Sequence, residues 1–191
     1  MWLSPIVTAE PAAEPVSRAE ALAFLRVTAG ADDAQVDQFI TDARQHVERV
    51  TGSRLITQTV ELRAGSFADL SRLPTGPISA VASISYQDPQ GNITALASDQ
   101  YELFGAGLDF GIRAKVGVSW PSARAVDGSI VVTATAGYGD DGSKVPAPLK
   151  RAMLFLMSQW YDNRGIVVER QPFEVPHTVM DLLTNFRINR S

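Results

Sequence analysis

One short segment has the residue types of a phosphate-binding loop. Residues 137–144, GYGDDGSK, follow the pattern G-x-G-x-x-G-x-K. In a dinucleotide-binding fingerprint the glycines open directly into a helix, whose N-terminal amides hold the pyrophosphate. Here the next helix is predicted to begin only near Pro146, and Pro146 and Pro148 lack the amide donors that a phosphate needs. A Walker loop also requires Ser or Thr after its lysine, whereas Val145 follows Lys144. We therefore predict a mobile strand-to-helix turn that binds no phosphate.

Few other residues could do chemistry. The chain has no cysteine, which excludes disulfides and thiolate metal sites. Its two histidines, His46 and His177, are far apart in the sequence and lie outside any H-E-x-x-H pattern. No serine stands in a G-x-S-x-G elbow, so a nucleophile beside a positioned base is not indicated. The sequence predicts no catalytic residue, no metal site and no cofactor.

Length and charge limit the classes of partner. A chain of 191 residues can bury a full core and suits one domain with an elaboration, or two small domains. Its net charge of −4 argues against a protein that grips nucleic acid through the phosphates, although an acidic surface would let DNA pass. No apolar run approaches the roughly 20 residues that span a bilayer, and we find no signal-peptide pattern. We expect a protein of the cytosol, or of a particle assembled there, without membrane contact.

The N-terminal segment has an unusual composition. Residues 1–16 are rich in Pro, Ala and Glu and have no periodic pattern. Such a composition predicts an extended arm. Because Trp2, Leu3 and Ile6 are too apolar for a purely solvated tail, two interpretations stay open: a disordered end, or an arm that docks on a neighbouring subunit.

A helical hairpin is predicted over residues 17–53. Its first helix starts at a capping box of Ser17 and Glu20 and ends near Gly30. The second helix stops at Gly52 and is the most strongly periodic element of the chain. Its apolar stripe consists of Val36, Phe39, Ile40, Ala43, Val47 and Val50.

From Leu55 the apolar period changes to two. Alternating segments separated by turn signals such as DPQGN and AVDGS predict an antiparallel β region over 54–138. Helical spacing returns over 146–191, with a long third helix ending near Gly165 and a short fourth helix. Their predicted inward residues are Leu149, Ala152, Met153, Leu156, Trp160, Val179, Leu182, Leu183 and Phe186. The predicted fold class is α+β: a bundle of about four helices with an antiparallel β region inserted between helices 2 and 3.

An ordered set of motifs resembles a known family, the head–tail connectors or adaptors of tailed phages. The closest form is the adaptor of a phage or of a phage-derived gene transfer agent. The resemblance extends from about residue 14 to residue 187, and it depends on the order and spacing of the motifs together. These are EPVSRAEALAFLRV at 14–27, DDAQVDQFITDARQHVERVTGSRL at 32–55, LPTGPISAVASISYQDPQGN at 73–92, TATAGYGDDGSKVPAPLKRAMLFLMSQWYDNRG at 133–165 and LLTNFR at 182–187.

The resemblance implies a non-enzymatic ring protein, in twelve copies, at the head–tail junction of a virion or phage-like particle. Such a ring docks beneath the portal protein and joins it to a tail-side stopper. Double-stranded DNA passes through its lumen without sequence-specific binding. The resemblance also implies that the helices make the ring contacts and that the C-terminal segment reaches the portal.

Residue type and helix phase suggest which side chains meet other chains. Trp160, Tyr161 and Arg164 lie at the end of the third helix and are of types favoured at interfaces. Trp160 also continues the apolar stripe, so it is a core candidate as well, whereas Tyr161 and Arg164 are predicted to turn away from the stripe. The segment with Phe186, Arg187 and Arg190 is either a solvated helix end or a portal-binding tail. Trp2, in the arm, is a further interface candidate.

An alternative function comes from another class of protein. A small hydrolase or ligand-binding domain would use a pocket between the β region and the helices. It predicts convergent polar groups and acids with shifted pKa values in that pocket.

Overall fold

The computed structural model describes residues 1–30, 32–162 and 177–188. In these ranges the chain is α+β, with four α-helices and antiparallel sheets. In chain order the elements are β1 (Ile6–Ala9), α1 (Arg18–Leu25), α2 (Asp33–Thr51), β2 (Gln58–Ala64), a 3-10 helix (Phe67–Ser71), β3 (Ile78–Gln87), β4 (Ile93–Leu96), β5 (Tyr101–Ala106), β6 (Asp109–Ala114), β7 (Ile130–Ala136), α3 (Ala147–Asp162) and α4 (His177–Thr184).

The predicted helix signals are largely confirmed. The side chains and backbone amides of Ser17 and Glu20 form the reciprocal capping box at the start of α1. Gly52 ends α2 in the left-handed conformation, with φ of 76°. However, α1 ends at Leu25 rather than near Gly30, because Arg26 takes the left-handed conformation that terminates the helix. The predicted end of α3 at Gly165 lies outside the described residues.

The helices share one apolar core. The predicted stripes of α2, α3 and α4 supply it, with Leu149, Ala152, Met153 and Leu156 all buried. Trp160 and Phe186 are half-buried at its edge. Leu55 and Ile56, which connect α2 to the first central strand, belong to the same core. The amphipathic period of 3.6 therefore placed the inward faces correctly.

The strands form a second core. Five of them make an antiparallel sheet in the order β1-β2-β7-β3-β4, and β5 and β6 form a separate hairpin. The inward side chains of β2 and β7, such as Val60, Leu62, Ile130 and Val132, are fully buried, as their alternation predicts. The β part of the chain is thus larger than a small insertion. Within the predicted β region, the alternating segment IRAKVGVSW at 112–120 continues as strand only to Ala114.

The N-terminal segment differs from both interpretations of the predicted arm. Residues Ile6–Ala9 pair with β2 of the same chain, so the segment forms an edge strand of the chain's own sheet. The indole nitrogen of Trp2 donates a hydrogen bond to the carbonyl of Arg72, 2.9 Å away. Val16 is fully buried in the helical core. The segment therefore links the sheet to the helices, and we call residues 1–16 the N-terminal strap. Its strand has only four residues and pairs with a strand that is distant in the sequence, so the local sequence pattern does not predict it.

We expect the capping box to make stability depend on pH. Glu20 accepts a hydrogen bond from the Lys150 amine, which with the Ser17 amide lowers the pKa of Glu20 from 4.5 to about 2. A depressed carboxyl pKa stabilises the fold above the unfolded value, and the stabilisation disappears as pH falls through 4.5 towards 2. Because Glu20 is half-exposed, the effect at pH 7 is about 1 kcal/mol. Urea unfolding of Glu20→Gln, which keeps an N3 amide for the cap, should show this loss at pH 7 and little loss near pH 2.

Lys150→Met provides the control for this titration. This variant removes the amine that contributes most to lowering the pKa of Glu20. In the Lys150→Met protein, the loss of stability caused by Glu20→Gln should therefore depend less on pH. A stability difference between the parent and the Glu20→Gln variant that stays constant from pH 7 to about pH 2 would contradict the assignment.

Candidate functional site

The glycine-rich segment is bonded to its own chain. The amide of Gly137 donates to the carbonyl of Pro77 at 2.9 Å, and the amide of Tyr138 donates to the carbonyl of Leu55 at 3.3 Å. The amide of Ser143 donates to the Asp141 carboxylate at 2.7 Å. These amides would have to leave their acceptors before they could bind a phosphate. The segment also differs from the predicted mobile turn, because it is fixed to β3 and to the segment that precedes β2.

Close packing explains the glycines of this segment. A Cβ atom at Gly137 would lie 2.5 Å from the backbone carbonyl carbon of Ile56, and φ at Gly137 is 143°. A Cβ atom at Gly142 would collide with the carbonyl of Pro15. Glycine is required at both positions because no side chain fits. The pattern G-x-G-x-x-G therefore arises here from the packing of a turn between β7 and α3.

One groove lies between the N-terminal strap and α2. It has a volume of about 630 Å³, and Ser4, Pro5, Val7 and Glu10 line one wall. The opposite wall comes from α2 and the end of α3, with Asp42, Arg44, Gln45, His46, Glu48, Arg49 and Trp160, and Arg54 also lines the groove. It is the place to look for the alternative function, since it brings polar groups together.

Glu48 is the most buried carboxylate of this groove, with 3% of its side chain exposed. One oxygen accepts hydrogen bonds from the Leu55 amide and from Gln58 Nε2, both at 2.9 Å. The other oxygen lies 3.3 Å from Arg54 Nη1 and 3.6 Å from Arg44 Nη1. Burial raises the pKa of Glu48, and the two arginines and the hydrogen bonds oppose that rise.

Arg44 connects Glu48 to the N-terminal strap. Its side chain is only 5% exposed. Arg44 Nε lies 2.9 Å from the Glu14 carboxylate, and Nη2 lies 3.5 Å from the Glu10 carboxylate. Glu14 also accepts a hydrogen bond from the Thr41 hydroxyl at 3.0 Å. The buried ionic cluster of Glu14, Arg44, Glu48 and Arg54 therefore joins three parts of the chain: the strap, α2 and the start of the β region.

This geometry is suited to holding the fold rather than to catalysis. A general acid or base must present an oxygen to the substrate so that a proton can be transferred. Both oxygens of Glu48 face donors of the protein itself. His46 is half-buried, and its pKa is lowered by burial and by Arg49. Its Nδ1 contacts Arg49 Nη2 at 3.0 Å, so its nearest charged neighbour is a cation and not a carboxylate that could orient it as a base. Glu48, the acid of this groove with a raised pKa, owes that rise to burial, and both of its oxygens are occupied by structural contacts.

Sequence reasoning missed this cluster, although a signal was present. Arg44 and Glu48 are spaced i, i+4 on α2 and lie beside Ala43 and Val47 of the apolar stripe. Two oppositely charged residues at this spacing, each next to a residue of the apolar stripe, indicate an ion pair at the edge of the core. Their partner Glu14 lies on the strap, whose docking on the chain's own body was not predicted.

Trp160 and Tyr161, two of the predicted interface residues, contact α2 or the residue before it in their own chain. Trp160 packs against Phe39 of α2, with ring centroids 6.1 Å apart, and its ring centroid lies 6.3 Å from that of His46. The Tyr161 hydroxyl donates a hydrogen bond to Asp32 Oδ2 at 2.8 Å. The Tyr161 hydroxyl thus reaches back to the N-terminus of α2 in its own chain, while the contact with a neighbouring subunit expected of Tyr161 stays a prediction.

The remaining candidates are spread over the molecule. Phe186 packs against the helical core, and Arg187 is exposed beyond the end of α4. Trp2 packs against the β core at the other end of the strap. Arg164 and Arg190 lie outside the described residues. The structure therefore brings Trp160 and Tyr161 together near α2, while Trp2 and the segment after α4 lie apart.

Metal-binding clusters and membrane-spanning helices are both absent from the described ranges. No group of three or more His, Cys, Asp or Glu side chains is placed there to hold a metal ion. Among the same residues, no helix has the length and apolar character required to cross a membrane.

Comparison with known proteins identifies the fold. No protein-family model matches the chain, and no curated protein matches it. Solved structures do. A chain in the neck of an empty gene transfer agent particle, computed with sixfold symmetry, matches with a TM-score of 0.77 and 22% identity over 99% of this chain and 97% of that chain. The chain has the fold of a gene transfer agent neck protein.

Two further structures support the same assignment of fold. A chain of the virion of a native gene transfer agent particle matches with a TM-score of 0.75 and 23% identity, covering 99% of this chain and 97% of that one. A chain of the neck of a native particle, computed with twelvefold symmetry, matches with a TM-score of 0.65 and 21% identity, covering 97% of both. The sequence resemblance to head–tail connectors is thus confirmed at the level of the fold.

Proposed function

We propose that this protein is a head–tail adaptor of a phage-like particle. In this role it forms a ring beneath the portal, joins the capsid to a tail-side stopper and continues the channel for double-stranded DNA. The observation that carries the proposal is the match in fold to neck proteins of gene transfer agent particles, which covers nearly the whole of both chains. Its action is structural and needs neither catalysis nor a cofactor.

Assembly into a ring places a requirement on the surface of the subunit. Each copy meets the next through two different patches, so adhesive residues are needed on separate faces. Exposed large apolar side chains do occur on separate elements: Ile6 on β1, Phe24 on α1, Ile93 on β4 and Val116 in the loop after β6. We propose that the helices carry the ring contacts, twelve copies in all, and that β2 to β7 form a region inserted between α2 and α3.

The charge of the chain agrees with a channel that DNA must leave freely. Each phosphate neutralised by the ring would add salt-dependent affinity and retard passage. Several arginines of the β region have carboxylate partners: Arg63 with Glu61 at 2.7 Å and Arg113 with Glu102 at 2.7 Å. Together with the net charge of −4, this pairing supports weak interaction with phosphates.

Electron microscopy of particles that carry an epitope tag on this protein tests the proposal. We expect a ring of tagged density between the portal and the tail, and its averaging would give the copy number. Particles made without the gene serve as the control and should lack both the ring and an attached tail. Purified particles that contain none of this protein would overturn the proposal, and the groove beside Glu48 would then be the place to seek a ligand.

The portal-binding segment needs a different variant from a simple truncation. Removing residues 184–191 would delete Phe186 from the helical core and Ile188, whose amide donates to the carbonyl of Thr51 at 2.7 Å. A truncated protein could therefore lose portal binding by unfolding. We propose Arg187→Glu with Arg190→Glu instead, which reverses charge and leaves the anchoring residues in place.

A further inference from the structure

A second groove lies between the start of α3 and α4. It has a volume of about 420 Å³ and is lined by Ala147, Pro148, Lys150, Arg151, Leu154 and Leu182. Leu154 and Leu182 remain half-exposed along it. The groove thus combines an apolar floor with a rim on which both charged residues are cations.

The cations of the rim occupy an unusual place. The first turn of α3 has no acidic residue, and Lys150 and Arg151 stand close to its positive end, where acids are normally favoured. The Lys150 amine is bonded to Glu20 at 2.8 Å. Arg151 is exposed, and within residues 1–30, 32–162 and 177–188 it has no carboxylate within ion-pair distance. Among those residues, the charge of Arg151 is therefore left without a partner beside two half-exposed leucines.

We propose that this groove binds an acidic segment of a different protein of the particle. An apolar side chain of that segment packs between Leu154 and Leu182, and a carboxylate beside it pairs with the guanidinium of Arg151. Each feature of the groove selects part of this partner. The charge of the rim selects an acidic residue, and the two leucines select an aliphatic or aromatic side chain. Nucleic acid would satisfy the first condition but leave the leucines exposed.

The inference rests on the proposed function, since the partner is a component of the same particle. It adds a docking surface whose lining does not include Arg187. Because a guanidinium and a carboxylate can form two parallel hydrogen bonds, Arg151 also sets the orientation of the bound segment.

Photocrosslinking in assembled particles tests the site. A benzophenone amino acid replaces Leu154 in the tagged protein, and mass spectrometry identifies the peptide joined to it. We expect one peptide from another protein, rich in Asp or Glu with an apolar residue at the point of attachment. Reversing the rim charge with Arg151→Glu should lower the yield at least about tenfold, and Arg151→Lys should restore most of it. The same photoreactive residue at exposed Val126, in the β region, is the matched control and should not capture that peptide.

The possible outcomes separate this inference from the function. A tagged ring seen in particles, with the Leu154 crosslink joining a second copy of this chain, a non-acidic peptide or nothing, would overturn the inference and leave the adaptor role intact. An equal yield from Arg151→Glu would also overturn it, provided that this variant melts at the same temperature as the parent. Absence of the protein from particles would overturn both.

Discussion

Replacing Arg44 with alanine is expected to lower the free energy of unfolding by about 3–5 kcal/mol. The substitution leaves Glu48 as a buried carboxylate with one cation fewer, and it removes the contact of Glu14 at 2.9 Å and of Glu10 at 3.5 Å. Glu48 keeps Arg54 and its two hydrogen bonds, so the effect combines the weaker compensation of a buried charge with the loss of the contacts of Arg44 to the strap. Urea unfolding at pH 7, followed by circular dichroism, gives the measurement.

An exposed ion pair provides the matched control. Arg18 pairs with Asp33 and Asp37 at the solvent-exposed surface, so Arg18→Ala should lower the free energy of unfolding far less than Arg44→Ala does. If the loss in Arg44→Ala were as small as in Arg18→Ala, the cluster would be solvated and our account of it wrong. A second expectation concerns the strap: with Glu10 and Glu14 released, limited proteolysis should cut residues 1–16 sooner in Arg44→Ala than in Arg18→Ala.

The helical half of the fold could be predicted because its signals are local. The capping box of Ser17 and Glu20, the stop at Gly52 and the apolar stripes each depend on residues within a few turns of one another. The β alternation likewise predicted an antiparallel region, and alternate side chains of β2 and β7 are buried in the structure. The strap could not be predicted in this way. Its strand has four residues and pairs with β2, more than 50 residues away in the sequence, so the pairing is decided by tertiary packing.

The candidate site was predicted less well than the fold. Trp160 and Tyr161 were chosen by residue type and helix phase, and both contact α2 or its N-terminus in their own chain. Residue type alone does not distinguish a side chain that packs in the core of its own subunit from one that contacts a neighbouring subunit. The ionic cluster was missed because its members come from three segments, and only Arg44 and Glu48 are close in sequence. These contacts can be recognised only once the position of residues 1–16 in the fold is known.

The glycine-rich segment gives the second large expected effect. Gly137→Ala should destabilise the fold by about 2–4 kcal/mol, since the added methyl group meets the backbone of Ile56 and Thr57 at 2.5 Å and φ of 143° disfavours any side chain. Thermal unfolding, with urea titration for the free energy, measures the loss. Gly30→Ala is the control, because no atom lies within 4 Å of a Cβ there, and its effect should stay within about 0.5 kcal/mol.

The outcome at Gly137 also decides what the pattern G-x-G-x-x-G means in this chain. A phosphate-binding loop uses glycines to bring its amides close to a ligand, so substitution there would weaken ligand binding and leave the folded state largely intact. A turn that packs its backbone against Ile56 loses stability instead, whether or not a ligand is present. Gly137→Ala protein as stable as the parent would contradict the packing account. A loss near that expected would show that Gly137 packs its backbone against the segment that precedes β2, and that the glycine pattern is not in itself evidence of phosphate binding.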